Sequence, residues 1–220
     1  KLERGKLLVV ENGEVTTQTY WELRFEPDYG PSEADWAEEL RWLFEDAVRI
    51  RLRSDVPLGV LISGGVDSTA IATTVAKLGG GGASGLDSFC VGVDIPGAIT
   101  EFDWARTTAE RIGTRHHEER LTAEGHGEVL REAAQVLDEP LGESMVGQLL
   151  AICRLVRRHV TVVLSGEGAD ETWFGYTPYR VMYAISLLQK GIPGPLMRQL
   201  PGWLGKIASL PMPSKPARYL

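Results

Sequence analysis

An α/β fold, doubly wound around a mainly parallel sheet with helices on both faces and preceded by a short β-hairpin, is the architecture this 220-residue chain predicts. Short continuous apolar runs at 58–62, 88–93 and 160–164 have the length and bulk of strands buried on both faces. Helical apolar spacing at 67–78, 101–112, 124–137 and 145–158 fills the intervals between and after them, and strands alternating with helices imply parallel pairing. Near the amino end, Asn12-Gly13 separates two strand-like runs and supplies the positive-φ pair of a tight hairpin turn.

In chain order, the hairpin runs through 7–10 and 15–20 and is too small to be a domain. Pro27 and Pro31 punctuate the chain, and Ser32 with Asp35 then caps a helix carrying Leu40, Leu43, Phe44, Ala47 and Ile50 on apolar spacing. The 58–62 strand leads into a helix with Ala70, Ile71, Val75 and Leu78 on one face. Gly79-Gly80-Gly81-Gly82-Ala83-Ser84-Gly85 has no strand before it and reads as a mobile connection, not a phosphate site. Trp36, Trp42 and Trp104 fall on helical apolar spacing and are expected in the core. Expected boundaries are a terminal hairpin and linker over 1–30, a nucleotide-binding domain over 31–190 and a helical part beginning at 191–220.

A composition of 43% hydrophobic and 24% charged residues suits one good core, and a net charge of −7 argues against a nucleic-acid surface. Cys90 and Cys153 form no Cys-x-x-Cys and are expected as buried fillers in a reducing compartment. No apolar span of membrane length and no signal-peptide pattern occurs, so a cytoplasmic location and no membrane partner are expected. His116 and His117 are adjacent, and neighbours in a strand point to opposite faces, so they are not expected to share a ligand. His126 and His159 have no supporting pattern.

The chemistry concentrates in two loops. After the first buried strand comes Ser63-Gly64-Gly65-Val66-Asp67-Ser68, where two glycines can take positive φ and let the backbone approach a ligand closely. Phosphate oxygens would meet amides and the positive dipole end at the start of the following helix, with Ser63 and Ser68 adding hydroxyl donors. Asp67 repels phosphate unless it binds Mg²⁺, the alternative being a cap on its own helix. The plain alternative for the whole segment is a strand–turn–helix in which the glycines merely turn the chain. Neither Gly-x-x-x-x-Gly-Lys-Ser/Thr nor a strand followed by Gly-x-Gly-x-x-Gly occurs.

The second loop, Ser165-Gly166-Glu167-Gly168-Ala169-Asp170-Glu171, follows the third buried strand and should open onto the same crevice beyond the strands' carboxyl ends. Three acids in one short loop repel one another unless a cation or cationic substrate group sits among them, the alternative being a solvated acidic loop.

The first loop resembles the PP-loop of the ATP pyrophosphatases. The two together, with Asp55-Val56-Pro57, Gly113-Thr114-Arg115-His116-His117-Glu118, Asp138-Glu139-Pro140 and the hairpin ending in Tyr20-Trp21, resemble the synthetase domain of B-type, glutamine-hydrolysing asparagine synthetases. The resemblance implies that Leu61, Val91, Ser165 and Gly166 hold the adenosine part of ATP, and that Ser63, Gly64, Gly65, Asp67 and Ser68 hold its pyrophosphate. It further implies that Asp67 and Asp170 bind Mg²⁺ and that Glu167 stands beside the acyl-adenylate, as general base or electrostatic guide for the incoming nitrogen. Aspartate and ammonia are then the expected small-molecule substrates, AMP and pyrophosphate the by-products, and homodimerisation a further expectation.

Departures from the family pattern bear on the acyl substrate. Thr100-Glu101 stands where Asp-Glu is usual, Thr172-Trp173-Phe174-Gly175-Tyr176 where Leu-Phe-Gly-Gly-Tyr is usual, and Leu141-Gly142-Glu143-Ser144 follows Pro140. Relatives closing β-lactam rings or cyclising lasso peptides use the same adenylation, and a non-catalytic ATP-binding module is a third reading. Lys1 falls in what resembles the last hairpin of the family's glutaminase domain, so that domain is expected to be missing. Nothing in the chain matches the family's acyl-site lysine, and the proline-rich 191–220 reads as the start of an incomplete helical part, so the fragment alone is expected to be inactive.

Overall fold

The structure, a computed structural model, describes residues 1–79, 85–94, 101–139, 141–143 and 145–191, with 188–191 described by backbone only. The chain divides into two compact units, Lys1–Ile50 and Arg51–Leu220.

In the first unit, β1 (Lys6–Glu11) pairs antiparallel with β2 (Glu14–Thr19), and Glu11 opposite Glu14 closes the ladder. Asn12 at φ 50° and Gly13 at φ 84° both adopt positive φ, as a two-residue turn matching the twist of its strands requires. Helix α1 (Glu33–Arg51) begins in a reciprocal cap: the Ser32 amide donates to Asp35 Oδ2 at 2.9 Å and the Asp35 amide donates to Ser32 Oγ at 3.3 Å. Trp36 and Trp42 on this helix are 42% and 63% exposed, contrary to the core placement expected for them. Helical spacing tells which residues share a stripe, not which stripe is covered.

The second unit runs β3 (Leu58–Leu61), α2 (Val66–Leu78), β4 (Asp87–Val93), α3 (Phe102–Ile112), β5 (Arg115–Leu121), α4 (Ala123–Val136), α5 (Met145–Arg157), β6 (Val162–Leu164), α6 (Ala169–Trp173) and α7 (Thr177–Gly191). Its four strands pair in parallel in the order β5-β4-β3-β6. The chain winds outward from β3 through β4 to β5 and then returns to the other side of β3. The direction of winding therefore reverses between β3 and β6, the place where doubly wound sheets open a ligand crevice.

Helices cover both faces. On one side Phe89 of β4 packs with Ile152, Leu155 and Val156 of α5 and with Val160, while Leu61, Val91 and Val163 border that core. On the other, α3 buries Phe102, Ala105 and Ala109, and α2, packed on α3, buries Ala72 and Val75. Trp104 points away and is 69% exposed, again not the core residue expected. Cys90 is buried on β4, whereas Cys153 is exposed on α5, so only the first of the two expected fillers is one.

β5 has no apolar run, since its sequence is Arg-His-His-Glu-Glu-Arg-Leu. Its place comes from a seven-residue register with β4 and from cross-strand side chains. Arg115 Nε and Nη2 each donate to Asp87 at 2.6 Å, and Ser88 Oγ lies 2.8 Å from His116 Nδ1. His116 and His117 face opposite sides of the sheet, as expected of strand neighbours: one meets Ser88, the other Asp87. Residues 80–84, the middle of the expected mobile connection over 79–85, and 192–220 lie outside the described residues. No helix among the described residues is long and apolar enough to cross a membrane.

Candidate active site

The loop from β3 into α2 is folded by its own hydroxyls. Ser63 donates its amide to Ser68 Oγ at 3.1 Å, the two hydroxyl oxygens lie 3.0 Å apart, and the Gly65 amide donates to Ser63 Oγ at 3.3 Å. Ser68 is buried and its hydroxyl also reaches the Gly65 carbonyl, so it pins the loop to the first turn of α2.

Only one of the two loop glycines takes the conformation that both could adopt. Gly64 has φ +80°, and a Cβ there would stand 2.4 Å from Trp104 Cβ and 3.1 Å from the Ala105 nitrogen, so the loop lies directly against the start of α3. Gly65 is extended, at φ −71° and ψ 162°, and as N-cap of α2 it provides no side-chain cap. The first turn of this thirteen-residue helix therefore has no side-chain cap on its amides, and Gly65, Val66 and Asp67 at its start are exposed. Asp67 lies inside that first turn, exposed, and is not the cap.

The loop after β6 meets this one. A Cβ on Gly166 would lie 3.1 Å from the Ser68 nitrogen and 3.3 Å from Asp67 Cβ, so the backbone at Gly166 rests on the Asp67–Ser68 peptide. Ser165 is exposed beyond the end of β6, and Glu167 is exposed two residues further on. Gly168, at φ 89°, turns the chain into α6, whose first turn carries Asp170 and Glu171. Asp170 is half-buried, and its Oδ1 occupies the space where Gly175 would carry a Cβ. Glu171 is drawn aside by a 2.8 Å hydrogen bond from the Tyr176 hydroxyl, which pushes that phenol's pKa up to about 12. Of the three acids in the loop, Glu167 and Asp170 are not drawn into that hydrogen bond.

Leu61 at the end of β3 and Val91 toward the end of β4 are half-buried on the α5 side. With Ser165 and Gly166 they line the carboxyl ends of three adjacent strands, β4, β3 and β6. Every residue implied by the resemblance thus falls at one end of the sheet, and the two loops make direct contact through Gly166.

Two neighbours of the crevice are not among the expected site residues. Trp104 backs Gly64, and Glu101, the exposed N-cap residue of α3, has its carboxyl pushed above the usual range by partial desolvation. Its signal in the sequence is its position, an acid ahead of a helix that follows a buried strand. At the far end of α6, Phe174 adopts left-handed geometry at φ 57° and ψ 37°, which a glycine fills without strain, while its ring packs edge-on to Tyr179 at 5.3 Å.

The family model described as asparagine synthase matches residues 39–215. A putative asparagine synthetase (glutamine-hydrolyzing) of Mycobacterium tuberculosis is 38% identical over 176 residues, covering 80% of this chain and 25% of that protein. Asparagine synthetase (glutamine-hydrolyzing) 1 of Bacillus subtilis is 31% identical over 201 residues, covering 91% of this chain and 31% of its own length. The enzyme of Asparagus officinalis is 36% identical over 146 residues, covering 62% and 24%. The chain thus spans about a quarter to a third of the length of these relatives. With its two crevice loops in contact at the switch point of a parallel sheet and the family model matched over most of its length, the chain belongs to the asparagine synthase family.

Proposed function

We propose that this chain forms the ATP-dependent part of an asparagine-synthesising ligase. In this reading ATP adenylates the side-chain carboxylate of aspartate, pyrophosphate leaves, and ammonia displaces AMP from β-aspartyl-AMP. The ammonia comes from glutamine through a glutaminase domain, with 1–30 as its terminal hairpin and linker, 31–190 as the ATP-binding domain and 191–220 as the start of a helical part. The observation that carries the reading is the seat of Gly166 on the Asp67–Ser68 peptide, which joins the phosphate loop to the acidic loop.

The chain's residues supply the steps as follows. Leu61, Val91, Ser165 and Gly166 bind the adenosine. Ser63, Gly64, Gly65 and Ser68, with the first-turn amides of α2, hold the departing pyrophosphate, where positioned donors matter most. Asp67 and Asp170 are carboxylates on facing loops, and an all-oxygen donor set of this kind fits Mg²⁺ shared with phosphate oxygens. The ion, when bound, offsets the charge of the phosphates. Glu167, exposed beyond β6, takes a proton from the incoming ammonium or holds it in place.

A related adenylating synthetase with a bulkier acyl substrate, of the β-lactam or lasso-peptide cyclase type, is the second reading, and the left-handed Phe174 at a usual glycine position favours it. Exchange of labelled pyrophosphate into ATP, run with aspartate, β-amino acids and peptides, separates the two. Exchange dependent on aspartate supports the first reading. Exchange only with the others transfers the site to the second, and ATP binding without any exchange assigns a non-catalytic module.

A further inference from the structure

At the amino ends of the strands, opposite the crevice, a second group of side chains converges. Asp87 opens β4, His117 lies on β5, and His159 stands in the connection from α5 to β6. One ligand atom from each lies within 4.8 Å of the other two. We propose that Asp87, His117 and His159 form a binding site for a transition metal ion of the zinc class, separate from the nucleotide crevice.

Two imidazoles and one carboxylate are the donor set of tetrahedral zinc and of cobalt, nickel or copper, whereas magnesium and calcium take oxygen. His117 Nε2 and Asp87 Oδ1 are hydrogen-bonded at 2.7 Å, so a carboxylate oxygen and an imidazole nitrogen already meet there. Metal–ligand bonds of about 2.0–2.2 Å at tetrahedral angles need only a modest opening of that distance, with the ion replacing the proton between them. His159 closes the third side, its ring centroid 3.8 Å from that of His117.

The surroundings favour a fixed, one-sided site. Asp87 is buried and held by both Arg115 contacts, which use two of its roughly four lone-pair positions and orient the rest. Phe89 lies under His117 at 5.1 Å and nearly parallel, giving the site an apolar floor. His159 is exposed, so the fourth position opens to solvent. The Arg115 charge opposes a cation, but it is paired with Asp87, and its side chain reaches into solvent. Filling the site ties two strands and a crossover connection together at the end of the sheet that carries no catalytic loop.

The test is titration of the untagged, chelator-treated chain with Co²⁺ and Zn²⁺. Expected are one equivalent of Co²⁺ with the visible bands of a nitrogen–oxygen set, a Zn²⁺-dependent rise in melting temperature, and an at least tenfold loss of affinity in His159→Gln and His117→Gln. His159 is exposed, so His159→Gln keeps the fold, checked by circular dichroism. Asp67→Asn should leave Co²⁺ binding unchanged, which distinguishes this site from the crevice. Absence of saturable binding, full affinity in His159→Gln, loss in Asp67→Asn, or a thiolate charge-transfer band from Cys90 or Cys153 would each overturn the assignment.

Discussion

Replacing Gly64 by alanine tests whether the loop from β3 into α2 is held against α3 as tightly as its geometry states. The backbone sits at φ +80°, where an L-residue costs about 1 kcal/mol relative to glycine. The added Cβ would stand 2.4 Å from Trp104 Cβ, against ordinary carbon–carbon contacts of about 3.5–4.0 Å, so loop and helix must part by about 1 Å. Overpacking of that kind costs about 1–3 kcal/mol, for a total of about 2–4 kcal/mol. Gly65, one residue on, is the control: its backbone is extended and its nearest obstacle is Ser63 Oγ at 3.3 Å, so Gly65→Ala should cost under about 0.5 kcal/mol. Urea unfolding of both variants, with the denaturant slope unchanged, reads the difference directly. If Gly64→Ala falls within about 1 kcal/mol of the parent, or Gly65→Ala is the costlier of the two, the close seat of the loop on α3 is wrong.

Gly175→Ala should push the Asp170 carboxylate aside, since the new Cβ would lie 1.8 Å from Oδ1; Mg²⁺-dependent ATP affinity, followed by calorimetry, should fall about tenfold or more, and unchanged affinity would remove Asp170 from the site. The Arg115 guanidinium, opposed by burial and helped by His117, pulls the Asp87 pKa from 3.8 to about 2. Folding favours the ionised form, so this contribution is whole above pH 3.8 and is lost as pH falls through 2; allowing for the exposed Arg115, it is about 1–2 kcal/mol. The stability gap between the parent and Asp87→Asn should therefore narrow between pH 5 and about pH 2 in urea unfolding, and a constant gap would refute it. Burial pushes the Cys90 thiol up to about 12 while Cys153 is exposed, so a thiol reagent should label Cys153 in the folded chain and Cys90 only after unfolding, as mass mapping of the adducts would read.

What the sequence disclosed was local in origin. Asn12-Gly13 and the Ser32–Asp35 cap announce themselves because the residues that make each turn or cap lie within four positions of one another. The buried strands β3 and β4 show as apolar runs because both their faces are covered. β5 carries no such mark, because its pairing with β4 and the Asp87–Arg115 contact join residues 28 apart in sequence. The tryptophans and Cys153 went astray for a related reason: period identifies a helical stripe, and only the packing of distant elements decides whether it is covered. Motif and topology put the two loops at one end of the sheet, where the structure brings them into contact. Which of two adjacent glycines turns left-handed, and that Tyr176 draws Glu171 away, depend on contacts with α3 and with the segment after α6.

The adjacency of β3 and β6 has a consequence for how such a site can diversify. Neighbouring strands are spaced by about 4.8 Å whatever side chains they carry, so the gauge between the two loops is fixed by backbone pairing. Residues such as Phe174 or Trp173 are set downstream of that pairing, so changing them leaves the gauge as it is. A lineage can thus retool the segment beyond α6 while the spacing of the two loops stays as it is, much as a lathe accepts new cutting heads on an unchanged bed.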